Sequence, residues 1–182
     1  MPVGERKSGI PLSVEMPAPV SATQGRHSRT SSASSITVEC RAIDGFRFHT
    51  SIRVRFAETD AQGVAHNANY LVWFEVARVA YLAEYAGGYQ ALRDQGIESF
   101  VLESHVRYLK PAHFDDSLRI HARIGELRGA RFRFDYVVTR DGEVIADGST
   151  LHACVDAKTL RPTRIPAALA DSIATAESST SS

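Results

Sequence analysis

NYLVWFEVARVAYLAEYAGG, residues 69–88, contains no proline, and its charged members are only Glu75, Arg78 and Glu84. Alanine, leucine and aromatic residues fill the remainder, and Gly87 and Gly88 supply a helix stop. A helix so apolar over most of its circumference has to be enclosed by other elements. Its neighbours in sequence show what is available to enclose it.

A short second helix, YQALRDQG (89–96), comes directly after, and from there strand follows strand. ESFVLESHVRYL (98–109) carries an apolar run at Phe100 to Leu102. LRIHARIGEL (118–127) sets Leu118, Ile120, Ala122 and Ile124 on one face against Arg119, His121 and Arg123 on the other, the two-residue period of a half-buried strand. RFRFDYVVT (131–139) alternates again after a tight connection at Arg128-Gly129. Asp141-Gly142 is a strong hairpin signal leading into EVIADGSTLHACVDA (143–157), where Gly148 marks a candidate bulge. Pro162 and Pro166 close the folded part. Upstream, FHTSIRVRF (48–56) alternates Phe48, Thr50, Ile52, Val54 and Phe56 against His49, Ser51, Arg53 and Arg55. The order strand, long helix, four strands with short antiparallel turns disfavours a parallel βαβ sheet. It predicts an α+β fold in which a curved antiparallel sheet of about five strands wraps around the helix.

The most polar cluster of the chain, ETDAQGVAHNANY (58–70), stands where this greasy helix begins. Asn67 is a natural N-cap, and the first-turn N–H groups of a helix lack intrahelical partners and lie at its positive end. Such groups suit an oxygen that gains negative charge, as a thioester carbonyl does during acyl transfer. Gly63 permits a sharp turn, and Asp60 beside it can act as a carboxylate base or nucleophile. Each residue also has a plainer reading: Asp60 as a turn residue, His66 as a surface histidine, Asn67 as only a cap, Trp73 as core, and Glu75 with Arg78 as an i,i+3 ion pair.

The ends differ in character. The first 45 residues hold four of the seven prolines, eight serines and no aromatic side chain. That composition cannot offset its ordering entropy by burial, so 1–45 reads as a disordered arm and 46–168 as the folded domain. Four arginines and a lysine in the arm permit a transit-peptide reading, which Glu5, Glu15, Glu39 and Asp44 weaken. Residues 169–182 read as a flexible polar tail. Lys+Arg and Asp+Glu are equal at 21 each, so no global field recruits nucleic acid or an anionic surface. Cys40 and Cys154 stand far apart without metal-ligand spacing, and the histidines show no HxxxH, so neither a disulfide framework nor a metal is expected. No stretch approaches the ~18 apolar residues of a membrane span. A soluble protein in a reducing, cytoplasmic compartment is expected, with no cofactor.

RFAETDAQGVAHNANYLVWFEVAR (55–78), YLKPAHFDDSLRI (108–120) and VDAKTLRPTRIP (155–166) together resemble the hotdog-fold acyl-CoA thioesterases of the 4-hydroxybenzoyl-CoA thioesterase type, including the group associated with the Tol–Pal system. The resemblance spans about 46–168. It implies a helix wrapped by a curved sheet, homodimers joined into a continuous sheet with active sites at the interface, and pairing into homotetramers. It implies that Asp60, in the segment ending Gly63-Val64, is the catalytic carboxylate and that the backbone amide of Asn67 polarises the carbonyl. Glu75 matches an acid that the family carries in the first helical turns. Many relatives carry histidine where this chain has Asn67, and here His66 stands one position earlier. The expected activity is hydrolysis of an acyl-CoA or an acyl carrier protein thioester. Tyr70 and Trp73 are candidates for shaping the acyl pocket, and Arg128 and Arg131 for meeting the CoA phosphates. Two other readings are a non-enzymatic acyl-CoA-binding module and a thioesterase acting on carrier-bound polyketide or fatty acyl chains.

Overall fold

The alternating stretches pair into one antiparallel sheet. The computed structural model describes residues 43–178. Residues 1–42, which include Cys40 and nearly all of the expected arm, and residues 179–182 lie outside the described residues. The strands are β1 (Phe48–Arg53), β2 (Ile97–Tyr108), β3 (Ser117–Arg128), β4 (Arg131–Arg140) and β5 (Glu143–Asp156). Their order across the sheet is β1-β3-β4-β5-β2, every pairing antiparallel, so β1 and β2 are the edges. Helix α1 (Asn69–Tyr85) packs on β1, β2 and β3; a short α2 (Gly88–Asp94) follows it, and α3 (Ala167–Ser178) comes last. A five-stranded antiparallel sheet with a 17-residue helix on its face is the α+β hotdog arrangement that the resemblance implies.

The turns follow local chemistry. Asp141 and Gly142 both adopt positive φ, 52° and 86°, as a two-residue hairpin of the Asp-Gly kind requires. Leu118, Ile120, Ala122 and Ile124 of β3 are all buried, as their alternation predicts. In α1 the buried residues are Tyr70, Trp73, Phe74, Ala77, Arg78, Tyr81 and Leu82, a stripe at i, i+3, i+4 spacing. Phe74 stacks on Tyr136 with ring centroids 4.2 Å apart, and Tyr81 meets Phe134 edge-on at 5.2 Å.

The structure corrects several expectations. Leu71, Val72, Val76 and Val79 remain 40–47% exposed, so the described residues enclose only part of the helix. The helix starts at Asn69, with Ala68 as N-cap and no side-chain capping bond. Asn67 therefore belongs to the preceding turn, which the Asn69 N–H closes onto the His66 carbonyl at 2.9 Å. β1 ends at Arg53; Phe56–Glu58 forms a 3₁₀ turn and leaves the Phe56 ring exposed. Gly148 lies in regular register between Tyr136 and Val106, and the bulges fall at Val101/Glu103, Ile124/Glu126 and Val138/Thr139. A β-carbon at Gly148 would sit 2.3 Å from the His105 carbonyl oxygen and 2.7 Å from the Phe74 ring, so close helix-on-sheet packing explains this glycine. The segment expected as a flexible tail from residue 169 is helical to Ser178: Ile173 is buried, and Glu177 accepts hydrogen bonds from the Tyr81 hydroxyl at 2.5 Å and the Ile124 amide at 3.1 Å.

Candidate active site

Two loops build the site, residues 54–68 ahead of α1 and residues 109–116 between β2 and β3. Their backbones are zipped together. Ala65 N–H donates to the Ala112 carbonyl at 2.8 Å, Val54 N–H to Asp116 at 3.0 Å, and Asp115 N–H to Val54 at 2.9 Å. Asp116 braces the second loop by accepting from the His113 amide at 2.8 Å and the Arg140 guanidinium at 2.7 Å. Burial works to raise the Asp116 carboxyl, but these two donors outweigh it and hold the group below the usual carboxylate range.

Asp60 heads a tight turn closed by Asp60 N–H to Val64 O and Gly63 N–H to Asp60 O, each at 2.9 Å. Gly63 sits at φ +76° with open space around its absent side chain, so backbone conformation alone requires the glycine. Asp60 Oδ1 accepts the Gln62 N–H at 2.8 Å, the turn-residue role that its plainer reading expected. Its Oδ2 has no hydrogen-bond partner among the described residues.

The turn into α1 occupies its amides one after another. His66 N–H donates to Glu58 O at 2.8 Å, Ala68 N–H to His66 Nδ1 at 3.2 Å, and Asn69 N–H to His66 O at 2.9 Å. The Asn67 N–H between them has no hydrogen-bond partner among the described residues. It shares its peptide group with the His66 carbonyl, which accepts from Asn69 and thereby strengthens the N–H as a donor. Because His66 Nδ1 is an acceptor, the neutral ring carries its proton on Nε2. Tyr108 OH donates to Asn67 O at 3.0 Å and pins the turn from the β2 side.

A cleft of about 490 Å³ opens here, lined by Asp60, His66, Asn67, Tyr70 and Tyr108, with Val64 and Lys110 in its walls. Lys110 is itself paired with Glu143. Of the other expected site residues, Gly63 lies exposed at the turn and Trp73 is buried in the core beneath. Glu75 is exposed on the far side of α1, 3.9 Å from Arg78, beside a hollow of about 500 Å³ lined by Val72, Val76 and Val79. Arg128 and Arg131 border a hollow of about 570 Å³ at the β3–β4 hairpin. That hairpin is the opposite end of the ladder from Arg140, so within one chain they stand away from Asp60. Sequence reasoning overlooked Glu58, Asn69, Tyr108 and Lys110; the one available signal was the Arg55-x-x-Glu58 spacing, at which the Glu58 carboxylate accepts from the Arg55 N–H and guanidinium while the Glu58 N–H donates to the Arg55 carbonyl. The arrangement can stabilise an anionic oxygen with one amide while a carboxylate works alongside.

Residues 54–173 match the family described as "Thioesterase-like superfamily". The acyl-CoA thioesterase YbgC of Haemophilus influenzae is 32% identical over 124 residues, 68% of this chain and 90% of that protein. The acyl-CoA thioester hydrolase YbgC of Escherichia coli is 31% identical over 120 residues, 65% of this chain and 90% of that protein. Among solved structures, a DHNA-CoA thioesterase from Staphylococcus aureus is 32% identical with a TM-score of 0.61, covering 64% of this chain and 78% of that one.

Proposed function

The chain belongs to the thioesterase-like superfamily, and from that premise we propose that it hydrolyses an acyl-CoA to the free acid and CoA, with Asp60 as the working carboxylate. The thioester carbonyl oxygen accepts the Asn67 N–H, which stabilises the negative charge that grows as the tetrahedral species forms. Asp60 either attacks the carbonyl carbon to form a mixed anhydride, which water then hydrolyses to the free acid and the regenerated carboxylate, or takes a proton from the water that attacks directly. Collapse breaks the C–S bond, and the thiolate leaves to be protonated; His66 Nε2–H is a donor available in the same cleft. The observation that carries this reading is the unengaged Asn67 amide and the unengaged Asp60 Oδ2, both bordering one cleft.

The reading extends to assembly. β2 is a 12-residue edge strand with Phe100, Val101 and Leu102 about half exposed, and such an edge invites pairing. Antiparallel pairing of two β2 edges about a twofold axis exchanges strand ends. It carries the 128–131 hairpin of one copy toward the Tyr108 end of the other, beside that copy's cleft. On this reading Arg128 and Arg131 meet the CoA phosphates across a homodimer interface, and the apolar face of α1 joins dimers into a homotetramer.

The test is thiol release by the purified full chain on aliphatic and aromatic acyl-CoAs and on a carrier-bound thioester. Asp60→Asn should keep the fold and acyl-CoA binding yet lose about two orders of magnitude or more in kcat. Undiminished turnover in that variant removes Asp60 from the mechanism. Tight acyl-CoA binding without turnover by the wild type would favour a binding module instead.

A further inference from the structure

Resting on that reading of the cleft, we infer that Glu58 is a positioning residue that holds the Asn67 amide free for substrate. Its carboxylate is almost entirely buried, at 5% exposure, and it is absent from the lining of the cleft. Its contacts are to the frame of the site. Oε2 accepts the Arg55 N–H at 2.7 Å and Oε1 accepts from the Arg55 guanidinium at 2.9 Å. Oε1 also accepts the Trp73 indole N–H at 3.2 Å, which ties the beginning of the loop to the buried second turn of α1. The backbone carbonyl of the same residue accepts the His66 N–H at 2.8 Å and the Asn69 side-chain amide at 2.7 Å, which ties the end of the loop to the same point.

One residue thus grips both ends of the segment that carries Asp60. The consequence falls on Asn67. A turn entering a helix normally leaves several amides without partners. Here the amides on either side of Asn67 are taken up, His66 by the Glu58 carbonyl and Ala68 by the His66 ring, and Asn69 N–H is taken by the His66 carbonyl. Between His66 and Asn69, the Asn67 N–H is the donor left for a ligand. If the Glu58 carboxylate releases Trp73 and Arg55, the 3₁₀ turn can rotate, the Glu58 carbonyl moves off His66, and the donor pattern shifts along the chain. The loss then appears in turnover rather than in substrate affinity, because an amide aimed at the transition-state oxygen contributes little to ground-state binding.

The test compares the full-length wild type, Glu58→Gln and Glu177→Gln. The first substitution keeps the size of the side chain but turns an NH₂ toward groups that are themselves donors. Glu177→Gln neutralises a carboxylate at the other end of α1 while keeping an oxygen that can accept from Tyr81 and Ile124, and so reports the effect of losing a charge away from the cleft. Thiol release on benzoyl-CoA and octanoyl-CoA should show kcat lowered tenfold or more by Glu58→Gln with KM within about threefold. Glu177→Gln should stay within about twofold of wild type in kcat. Trp73 is the one tryptophan in the chain, so its indole N–H gives a single assignable proton–nitrogen resonance. That resonance should shift and exchange faster in Glu58→Gln, and the His66 and Asn69 amides should lose protection. Unchanged kcat alongside a displaced indole resonance overturns the positioning role, as does an unchanged indole and amide pattern. If the wild type cleaves no thioester, the functional reading fails by itself, and the resonance and exchange measurements still decide whether Glu58 sets the amide pattern.

Discussion

Among single residues, His152 shows how the interior treats a titratable group. It is 1% exposed, stacked on Phe132 at 4.9 Å, with Nε2 2.7 Å from the Thr150 hydroxyl, which in turn meets the Tyr136 hydroxyl at 2.9 Å. Burial, and then the charge of Arg78, depress its pKa to about 4. His121 is depressed to about 4 as well, by burial first and then by His49 and Arg119. Both rings are neutral in folded and unfolded chains above the ordinary histidine pKa. As pH falls below it, the unfolded chain takes up protons that the folded chain refuses, so stability drops until the folded pKa is reached. The thermal midpoint should therefore decline steadily between about pH 6.5 and about pH 5, above the main carboxylate range. A flat midpoint over that interval, or ring resonances that titrate with an ordinary pKa, would contradict the buried neutral assignment.

Elements bring in a second kind of constraint, the distance between layers. α1 lies close enough to the sheet that Phe74 covers Gly148, and the neighbouring His105 carbonyl closes the remaining space. Gly148→Ala requires backbone or the stacked Phe74–Tyr136 pair to move, and overpacking of this kind costs roughly 1–3 kcal/mol. We expect a clearly lowered thermal midpoint with secondary structure retained; an unchanged midpoint would mean the layers are less tightly packed than the contacts indicate. The same scale explains Glu177. Beside the β3 bulge at Ile124/Glu126 its carboxylate satisfies the Ile124 amide and the Tyr81 hydroxyl together, so α3 is bound to the core by polar groups as well as by Ile173.

For the molecule as a whole, the decisive feature is apolar surface left over. Leu71, Val72, Val76 and Val79 on α1 and Phe100 to Leu102 on β2 form exposed apolar stretches that the described residues do not cover. If the β2 edge is the proposed homodimer joint, a charge there, Phe100→Glu, should shift the sedimentation of the protein toward monomer and lower activity in parallel, although Asp60 and Asn67 are untouched. A variant that remains fully assembled and active would exclude the β2 edge as the joint. The two-residue alternation of the strands, the proline-free apolar helix, the Asp141-Gly142 turn and the Asp60-x-x-Gly63 turn were legible in the residues themselves, because each depends on local backbone geometry and side-chain character. The helix start and the role of Gly148 were not, since both depend on groups distant in sequence: the zipper between residues 54–65 and 112–116, and Phe74 against β5. Asn67 divides the two kinds of knowledge. Its place near a helix N-terminus is local, but its amide is left unengaged because Glu58 and His66 occupy the donors around it, and hydrogen-bond competition of that sort is settled only when the folded chain brings every acceptor within reach.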